Sequence, residues 1–382
     1  MSRYTSATER DRTEMLAAIG ASSIEELFED IPDGVRLKRE LDLPPGMPEH
    51  EVYEHLAALS ARNTHAEDEV SFLGAGMYDH YVPALIDSIL SRSEFLTPYT
   101  PYQPEISQGG LQVMFEFQTA ISELTGLPVS NASVYEGPSA AAAAAYLAKM
   151  QTGKSRLVTS RGLHPHTRET LVTHSRGFGT QVVEVALDDA GATDPGALAA
   201  AIDDDTAAVF LQQPNFLGTV EDIGTLAEAA KTTGALLVVV ADPLPLAILK
   251  PPGELGADIC VGEGQTLGNR LDFGGPSFGF FAAREEFIRR MPGRIAGETT
   301  DVEGKRGFVL TLQTREQHIR REKATHNICT SQALNALAGV IYLSWLGKRG
   351  LVEMGELMAR RTHYAREALG LEAINSGPVV RE

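Results

Sequence analysis

The middle of the chain alternates short apolar runs with amphipathic stretches of helical period. Apolar runs, rich in Val, Leu, Ala and Phe, lie at 129–135, 156–159, 180–185, 207–211, 236–241 and 278–282, with a further one inside 257–265. Helices are predicted before the first run, at 111–125, and between later ones, at 139–150 and 223–233. Near-continuous apolar strands separated by helices predict an α/β fold whose sheet is mostly parallel and covered on both faces.

Both ends of the chain carry helical patterns. Thr8 is a predicted N-cap for a helix over 10–19 that ends at Gly20, residues 22–28 begin a second helix, and 49–62 form a third. After Gly304 we expect a polar loop, then helices at 330–347 and from 351 onward, while the last ten residues resemble the start of a strand. These patterns predict an N-terminal helical arm (1–95), a large domain (96–300), and a linker with an incomplete α+β small domain (301–382).

Charge and composition exclude several classes of function. The chain has 382 residues and a formal net charge of −18, which argues against a broad nucleic-acid surface because phosphate binding requires clustered Lys and Arg. It has no apolar h-region at its start and no run of 18 apolar residues, so we predict a cytoplasmic protein that does not contact membranes.

The cysteines and histidines do not predict a metal centre. Cys260 and Cys329 lie in apolar contexts and are predicted to be buried thiols of a reducing cytosol. His164, His166 and His174 are close in sequence, but they lack a carboxylate or thiolate at a convincing ligand spacing. In an enzyme that uses pyridoxal phosphate (PLP), such an imidazole could instead stack on the cofactor ring.

An aspartate and a glutamine follow two successive apolar strands. Asp242 ends the first strand, and Gln265 lies 23 residues later, after the second strand. In PLP enzymes of the aminotransferase type, an aspartate at the first position pairs with the pyridinium nitrogen, and a lysine at the second forms the Schiff base. Because an amide cannot form an imine, either this chain is not an enzyme by itself or the catalytic lysine belongs to a partner.

Two turns complete the predicted remnant of a cofactor pocket. Residues 134–139 open an alanine-rich helix at the place where PLP folds bind phosphate through backbone N–H groups, and Ser139 is the candidate contact. Pro138 removes one donor, so the phosphate cup is predicted to be damaged, although proline also suits an ordinary helix start. Asn215 follows the carboxyl end of a strand, where ligands bind in open α/β sheets, or lies in a simple strand-to-helix turn.

Two further segments carry more polar chemistry than a loop requires. Residues 99–109 combine aromatics with prolines, which would hold Tyr99, Tyr102, Glu105 and Gln108 in set positions, unless the loop serves packing alone. Residues 311–330 are rich in Arg, Lys and His. There Arg315 and Arg321 could clamp a phosphate or carboxylate, or lie on a solvated helix face.

Several segments, in the right order, make the chain resemble subunit 1 (the α subunit) of the split glycine dehydrogenase (decarboxylating), the P-protein family of the glycine cleavage system. The resemblance extends from Tyr4 to about Tyr364 and is dense at 72–81, 99–109, 213–215, 261–279 and 312–330. It implies an aminotransferase-like large domain of PLP fold type I, with a seven-stranded type of sheet.

The resemblance also implies a division of labour. In this family subunit 2 carries PLP on its lysine, and the α2β2 complex decarboxylates glycine and passes the aminomethyl group to the lipoyl arm (lipoate) of the H-protein. This chain would shape one wall of the active site. The candidates for groups supplied across the interface are Tyr99, Tyr102, Glu105, Gln108, Thr314 and Arg315.

Two other functions remain open from the residues. One is a self-sufficient PLP enzyme with a displaced lysine, for which Lys250 and Lys305 are the candidates, although neither follows a strand that faces the expected cofactor. The other is a scaffold subunit that binds partners without shaping an active site.

Overall fold

The computed structural model describes residues 6–65, 68–70, 74, 76–271, 277–370 and 372–381. Parts of the family-like segments at 72–81 and 261–279 lie outside these ranges. The chain forms two compact units, Met1–Val70 and Ser71–Glu382. The three-part division at 95 and 300 stays a prediction.

The described residues of the first unit form the α-helices α1 (Glu9–Ile19) and α2 (Glu49–Ser60). The predicted cap of α1 is confirmed: the Thr8 hydroxyl accepts a hydrogen bond from Asp11 N, and the Asp11 carboxylate accepts one from Thr8 N. Gly20 ends the helix with φ +76°. The helix predicted from residue 22 is only a 3₁₀ turn, Glu25–Phe28.

The second unit is built on a seven-stranded sheet with the order β1-β7-β6-β5-β4-β2-β3. Neighbouring strands are parallel except at β7, which is antiparallel to both β1 and β6. The mostly parallel sheet predicted from the sequence is confirmed. Its strands are β1 (Val129–Ser130), β2 (Arg156–Ser160), β3 (Gln181–Val185), β4 (Thr206–Gln213), β5 (Leu236–Ala241), β6 (Ile259–Glu263) and β7 (Gly279–Ala283).

The first strand is shorter than predicted because a side chain interrupts it. The Asn131 side chain accepts a hydrogen bond from Ser133 N at 3.1 Å and donates one to Pro292 O at 2.9 Å. Ser133 then adopts φ +106°. An asparagine that bonds the backbone two residues on favours a turn over a strand, so only one further bridge, Val134 to Gly279, follows.

Helices cover both faces of the sheet, and alternate residues of one strand supply two separate cores. Leu237 and Val239 of β5 pack in the core with α5, α8, α9 and α11, whereas Val238 and Val240 pack in the core with α6 and α7. The helices of this unit are α3 (Ala84–Leu90), α4 (Ser93–Leu96), α5 (Gln108–Thr125), α6 (Gly137–Thr152), α7 (Pro165–Phe178), α8 (Pro195–Ala201), α9 (Ile223–Lys231), α10 (Gln317–Arg320) and α11 (Ala333–Leu369).

A hairpin replaces part of the predicted polar loop. Strands β8 (Ile295–Thr300) and β9 (Arg306–Thr311) pair antiparallel, so the prediction of a loop after Gly304 is wrong for 306–311. Phe308 and Leu310 are the two buried residues of β9, alternate with half-buried ones and pack on Leu111 of α5, which stabilises a strand at this position. Farther on, the two predicted C-terminal helices meet at Gly347, where φ is +60° inside α11.

None of the helices in the described part of the chain is both long enough and apolar enough to cross a membrane.

Candidate functional site

Asp242 and Gln265 lie at the carboxyl ends of neighbouring parallel strands, β5 and β6, where ligands bind in open α/β sheets. The Asp242 carboxylate accepts hydrogen bonds from Leu244 N at 3.2 Å and from the Thr266 hydroxyl at 3.5 Å. Its other oxygen accepts from Arg381 Nη1 at 2.7 Å. The aspartate that would pair with a pyridinium nitrogen therefore already has a cationic partner.

Gln265 is fully buried, and its amide makes three hydrogen bonds. The Oε1 atom accepts from Tyr78 N at 3.2 Å, while Nε2 donates to Tyr78 O at 3.0 Å and to Asn269 O at 2.9 Å. The side chain at the position of the Schiff-base lysine thus joins two backbone segments and has no nucleophilic nitrogen.

Arg381 fills the space between Asp242 and Tyr78. The Cζ atom of Arg381 lies 3.4 Å from the centre of the Tyr78 ring, a stacking distance, while its Nη1 bonds to Asp242. Sequence reasoning missed Arg381, because its only distinguishing feature is a contact with a residue 139 positions away.

The N-terminus of α6 is closed by two carboxylates. Glu263 Oε2 accepts from Gly137 N at 2.9 Å, and Glu136 Oε1 accepts from Ser139 N at 2.9 Å and also from the Ser139 hydroxyl. Pro138, between them, has no N–H. Burial raises the pKa of Glu263, opposed by the Gly137 N–H bond. Both N–H groups that could hold a phosphate at this turn are already bonded.

Asn215 holds together the loop after β4. Its Nδ2 donates to Gly191 O at 2.7 Å and to Glu221 Oε1 at 2.9 Å, and its Oδ1 accepts from Leu217 N at 2.9 Å. Burial raises the pKa of Glu221, while the bonds from Asn215 and Thr193 oppose that shift. Asn215 borders a small cavity next to Asp242, but its polar atoms bond within the loop after β4 and to Gly191, in the connection between β3 and α8.

These side chains leave little room for a ligand. The cavity between Tyr78, His164, Asn215, Asp242 and Arg381 has a volume of about 40 Å³, which is space for about three water molecules. The residues present therefore do not fit PLP: they supply no lysine, no free phosphate donors and no space for the ring.

A second cluster of polar groups surrounds Tyr102. Its hydroxyl accepts from Arg294 Nη2 at 3.0 Å and donates to Glu316 Oε2 at 3.1 Å. The side chains of Arg294 and Glu316 are only 3% and 6% exposed and lie 3.5 Å apart. Within the described residues, Nε and Nη1 of Arg294 have no hydrogen-bond partner. Through the bond between Tyr102 and Glu316, the loop at 99–109 contacts the segment at 311–330. From the sequence alone, these two segments were separate candidates.

Arg315 and Thr314 precede Glu316 in the chain; the Arg315 side chain is buried, whereas Thr314 is exposed. The Arg315 guanidinium donates to Leu312 O at 3.1 Å, to Gly293 O at 3.0 Å and to Met291 O. Burial lowers the pKa of Arg315 to about 10. Both residues belong to the 3₁₀ turn Gln313–Arg315, in which the Thr314 side chain is exposed. The structure therefore places Arg315 as a brace between backbone segments.

The loop at 99–109 is fixed to β9 by Gln108, while Tyr99 and Glu105 are exposed. Gln108 bonds both backbone groups of Phe308, donating to the carbonyl and accepting from the N–H at 2.8 Å each. Tyr99 is 83% exposed and Glu105 is also exposed. The loop borders a cavity of about 530 Å³, whose wall includes Phe117, Leu337 and Arg294.

The described residues contain no group of three or more His, Cys, Asp or Glu side chains arranged to hold a metal ion. Cys260 is buried as predicted, and burial raises the pKa of its thiol. Cys329 is exposed, so the prediction of a second buried thiol is wrong. It lies in a loop before α11 that the sequence pattern did not distinguish from a buried segment.

Solved structures share this fold. A glycine decarboxylase (P-protein) of the glycine cleavage system, in inhibitor-bound form, is 46% identical, with a TM-score of 0.87 over 96% of this chain and 82% of that one. A sphingosine-1-phosphate lyase from Burkholderia pseudomallei (16% identical, TM-score 0.60, 89% of this chain and 78% of that one) shows the fold alone. The fold expected of PLP fold type I enzymes is confirmed.

Sequence comparison covers nearly the whole chain. A protein named probable glycine dehydrogenase (decarboxylating) subunit 1 from Carboxydothermus hydrogenoformans is 54% identical over 100% of this chain and 86% of its own length. The equally named protein of Moorella thermoacetica is 50% identical over 99% of this chain and 85% of its own length. The family profile described as glycine cleavage system P-protein matches residues 2–376. The chain therefore belongs to the glycine cleavage system P-protein family.

Proposed function

We propose that this chain is the lysine-less subunit of a glycine decarboxylase, which acts only together with a subunit 2 that carries PLP on its own lysine. The observation that carries the proposal is the closed pocket at Asp242, which holds Arg381 in place of a ring. A chain of this family that cannot bind the cofactor itself requires a partner for the chemistry. The complex would decarboxylate glycine and transfer the aminomethyl group to the lipoyl arm of an H-protein, and we expect it to be an α2β2 assembly in the cytoplasm.

The contribution of this chain would be the wall of the partner's active site. Tyr99 and Glu105 are exposed on a proline-stiffened loop and are free to meet a partner surface. Tyr102 and Gln108 hold that loop against Glu316 and β9. Thr314 is exposed on the adjoining turn, and Arg315 fixes the turn through three carbonyls. In this arrangement Tyr99, Glu105 and Thr314 would face substrate, and the other three would position them.

The geometry gives less support to a self-sufficient PLP enzyme. Lys250 is exposed, and Lys305 lies in the turn between β8 and β9, where its Nζ is 3.1 Å from Glu303. Neither residue borders the small cavity at Asp242. A displaced lysine would have to reach a cofactor for which the pocket has no space.

Co-purification with subunit 2 tests the proposal, followed by visible absorbance and glycine-dependent CO2 exchange with lipoylated H-protein. We expect the PLP absorbance band and exchange activity in the mixture, and neither in this chain alone. A band or activity in the isolated chain would refute the proposal.

A matched pair of tyrosine variants separates this function from that of a scaffold. Tyr99→Phe should lower exchange activity in the mixture while the complex still assembles, whereas Tyr364→Phe, on the exposed side of α11 at 72% exposure, should not. Full activity of the Tyr99→Phe and Glu105→Gln complexes would favour a scaffold.

A further inference from the structure

We propose that the remnant pocket is a built binding site for a planar organic cation, and that Arg381 is its resident occupant. This proposal rests on the proposed function in one respect, the assumption that a cofactor ring lies next to the matching aspartate in related enzymes. Three features carry it: an aromatic platform, a carboxylate partner and a preorganised segment that delivers the guanidinium.

The platform is the Tyr78 ring, and Gln265 positions it. Arg381 Cζ lies 3.4 Å from the centre of that ring, so the guanidinium stacks on its face. The Tyr78 backbone is held by two hydrogen bonds to the Gln265 side chain, at 3.2 and 3.0 Å. The residue that replaces lysine thereby fixes the surface on which the substitute cation lies.

The carboxylate partner is Asp242. Its side chain is 20% exposed and that of Arg381 is 12% exposed, with 2.7 Å between Oδ2 and Nη1. A largely buried carboxylate without a counter-charge is strongly unfavourable. Asp242 would therefore select a cation in the space that a pyridinium ring occupies in related folds, and the Tyr78 face would select a flat one.

The other groups around Arg381 are consistent with a resident cation. The charge of Arg381 acts on His80 and Tyr342, and the charges of Asp79 and Asp242 act on His80 in the opposite direction. Burial, and next the charge of Arg381, lower the pKa of His80 to about 4, against the opposing effect of the two aspartates. His80 is thus neutral at pH 7, so it adds no second positive charge beside the pair of Arg381 and Asp242.

The segment that carries Arg381 is held in place by contacts other than the ion pair with Asp242. Pro378 O accepts from Val220 N at 2.8 Å, Val380 O accepts from the Thr362 hydroxyl at 3.2 Å, and Asn375 Nδ2 donates to Leu217 O at 2.6 Å. Val379 also forms a bridge with Thr219. These contacts fix residues 375–380, so the guanidinium reaches Asp242 with little further loss of freedom.

Chemical rescue tests the proposal directly. Arg381→Ala removes the cation and leaves Tyr78 and Asp242 in place, so thermal unfolding of the full chain should begin several degrees lower. Methylguanidinium chloride, at millimolar concentrations far below those that denature proteins, should restore part of that loss with a saturable dose dependence. Sodium chloride at equal ionic strength should not, and neither salt should raise the Tm of the unsubstituted chain.

A double variant and a spectroscopic measurement keep the test decisive. Arg381→Ala with Asp242→Asn should show no rescue, because the counter-charge is gone. If Arg381→Ala does not fold, Arg381→Gln is the replacement, and its His80 imidazole signals should titrate at a higher pH than in the unsubstituted chain. Equal responses to both salts, rescue in the double variant, or an unchanged Tm and His80 titration would overturn the proposal. Failure to assemble with subunit 2 would count against the proposed function alone.

Discussion

The Gln265 side chain bonds both backbone groups of Tyr78, accepting from its N–H at 3.2 Å and donating to its carbonyl at 3.0 Å. A neutral amide can make such a two-way bond, whereas a lysine ammonium has donors only and an ionised carboxylate has acceptors only. Gln265, at the position where the sequence led us to expect a Schiff-base lysine, therefore also fixes the Tyr78 backbone. Replacing it with lysine would remove these bonds and change the pocket as well as the chemistry.

Gln265→Lys alone should not create a PLP enzyme. The new ammonium would lie in a fully buried position. The N–H groups of Gly137 and Ser139 are already bonded to carboxylates, and Arg381 is bonded to Asp242. We expect no visible band after incubation with excess PLP and no decarboxylation. Gln265→Met serves as a control for lost amide bonds. A band together with glycine decarboxylation by the isolated single variant would contradict this prediction.

Arg315→Lys should destabilise the fold. The guanidinium donates to three backbone carbonyls from a buried position, and an ammonium on an unbranched stem cannot reproduce that planar geometry. Leaving buried acceptors unpaired costs about 1–3 kcal/mol each, so we expect a loss of about 2–4 kcal/mol in the free energy of unfolding. Urea unfolding measures it. The exposed Arg320→Lys is the matched control, and equal stability of the two variants would rule out the bracing role.

Tyr102→Phe and Tyr99→Phe should separate stability from partner contact. The Tyr102 hydroxyl is shared by Arg294 and Glu316, both almost fully buried, so its loss should cost about 1–3 kcal/mol in the isolated chain. Tyr99 is 83% exposed, and its variant should unfold within about 0.5 kcal/mol of the unsubstituted chain. Urea titrations of both variants check this difference. The reverse order of stabilities would mean that the polar cluster around Tyr102 does not hold the loop.

Stability should fall in weak acid because of His80. Its Nδ1 lies 3.1 Å from Tyr78 O, its Nε2 is buried, and burial lowers its pKa from 6.5 to about 4. Between these values the unfolded chain takes up a proton that the folded chain does not. The contribution of neutral His80 to the free energy of unfolding is therefore complete above pH 6.5 and is lost as the pH falls toward 4.

The pH dependence of urea unfolding for His80→Gln measures that contribution. The variant should lose less stability between pH 7 and about pH 4.5 than the unsubstituted chain. His326, whose pKa burial also lowers to about 4, should add a similar share. His363→Gln, at an exposed position on α11, should behave like the unsubstituted chain. Identical pH profiles for all variants would contradict the assignment.

Sequence patterns predicted features that depend on neighbouring residues. The cap at Thr8, the apolar strand at 236–241 and the end of a helix at Gly347 arise from local backbone preferences and periodic burial. Each was found where the pattern placed it, the last as a non-helical residue inside α11. The strand at 306–311 was missed, because Phe308 and Leu310 are stabilised by contact with Leu111, almost 200 residues away. The candidate residues of the partner's active site stay predictions, although the structure brings Tyr102 to Glu316 and shows Arg315 bonded to backbone.

By itself, the sequence determined that position 265 cannot form an imine, because the chemistry of an amide does not depend on its surroundings. It also determined that Pro138 lacks a donor. Only the tertiary structure decided that the pocket is filled, since Arg381 reaches Asp242 across 139 residues and Glu263 reaches Gly137 across 126. The sequence lists the groups that are present or missing, but the fold decides which of them occupy the same space.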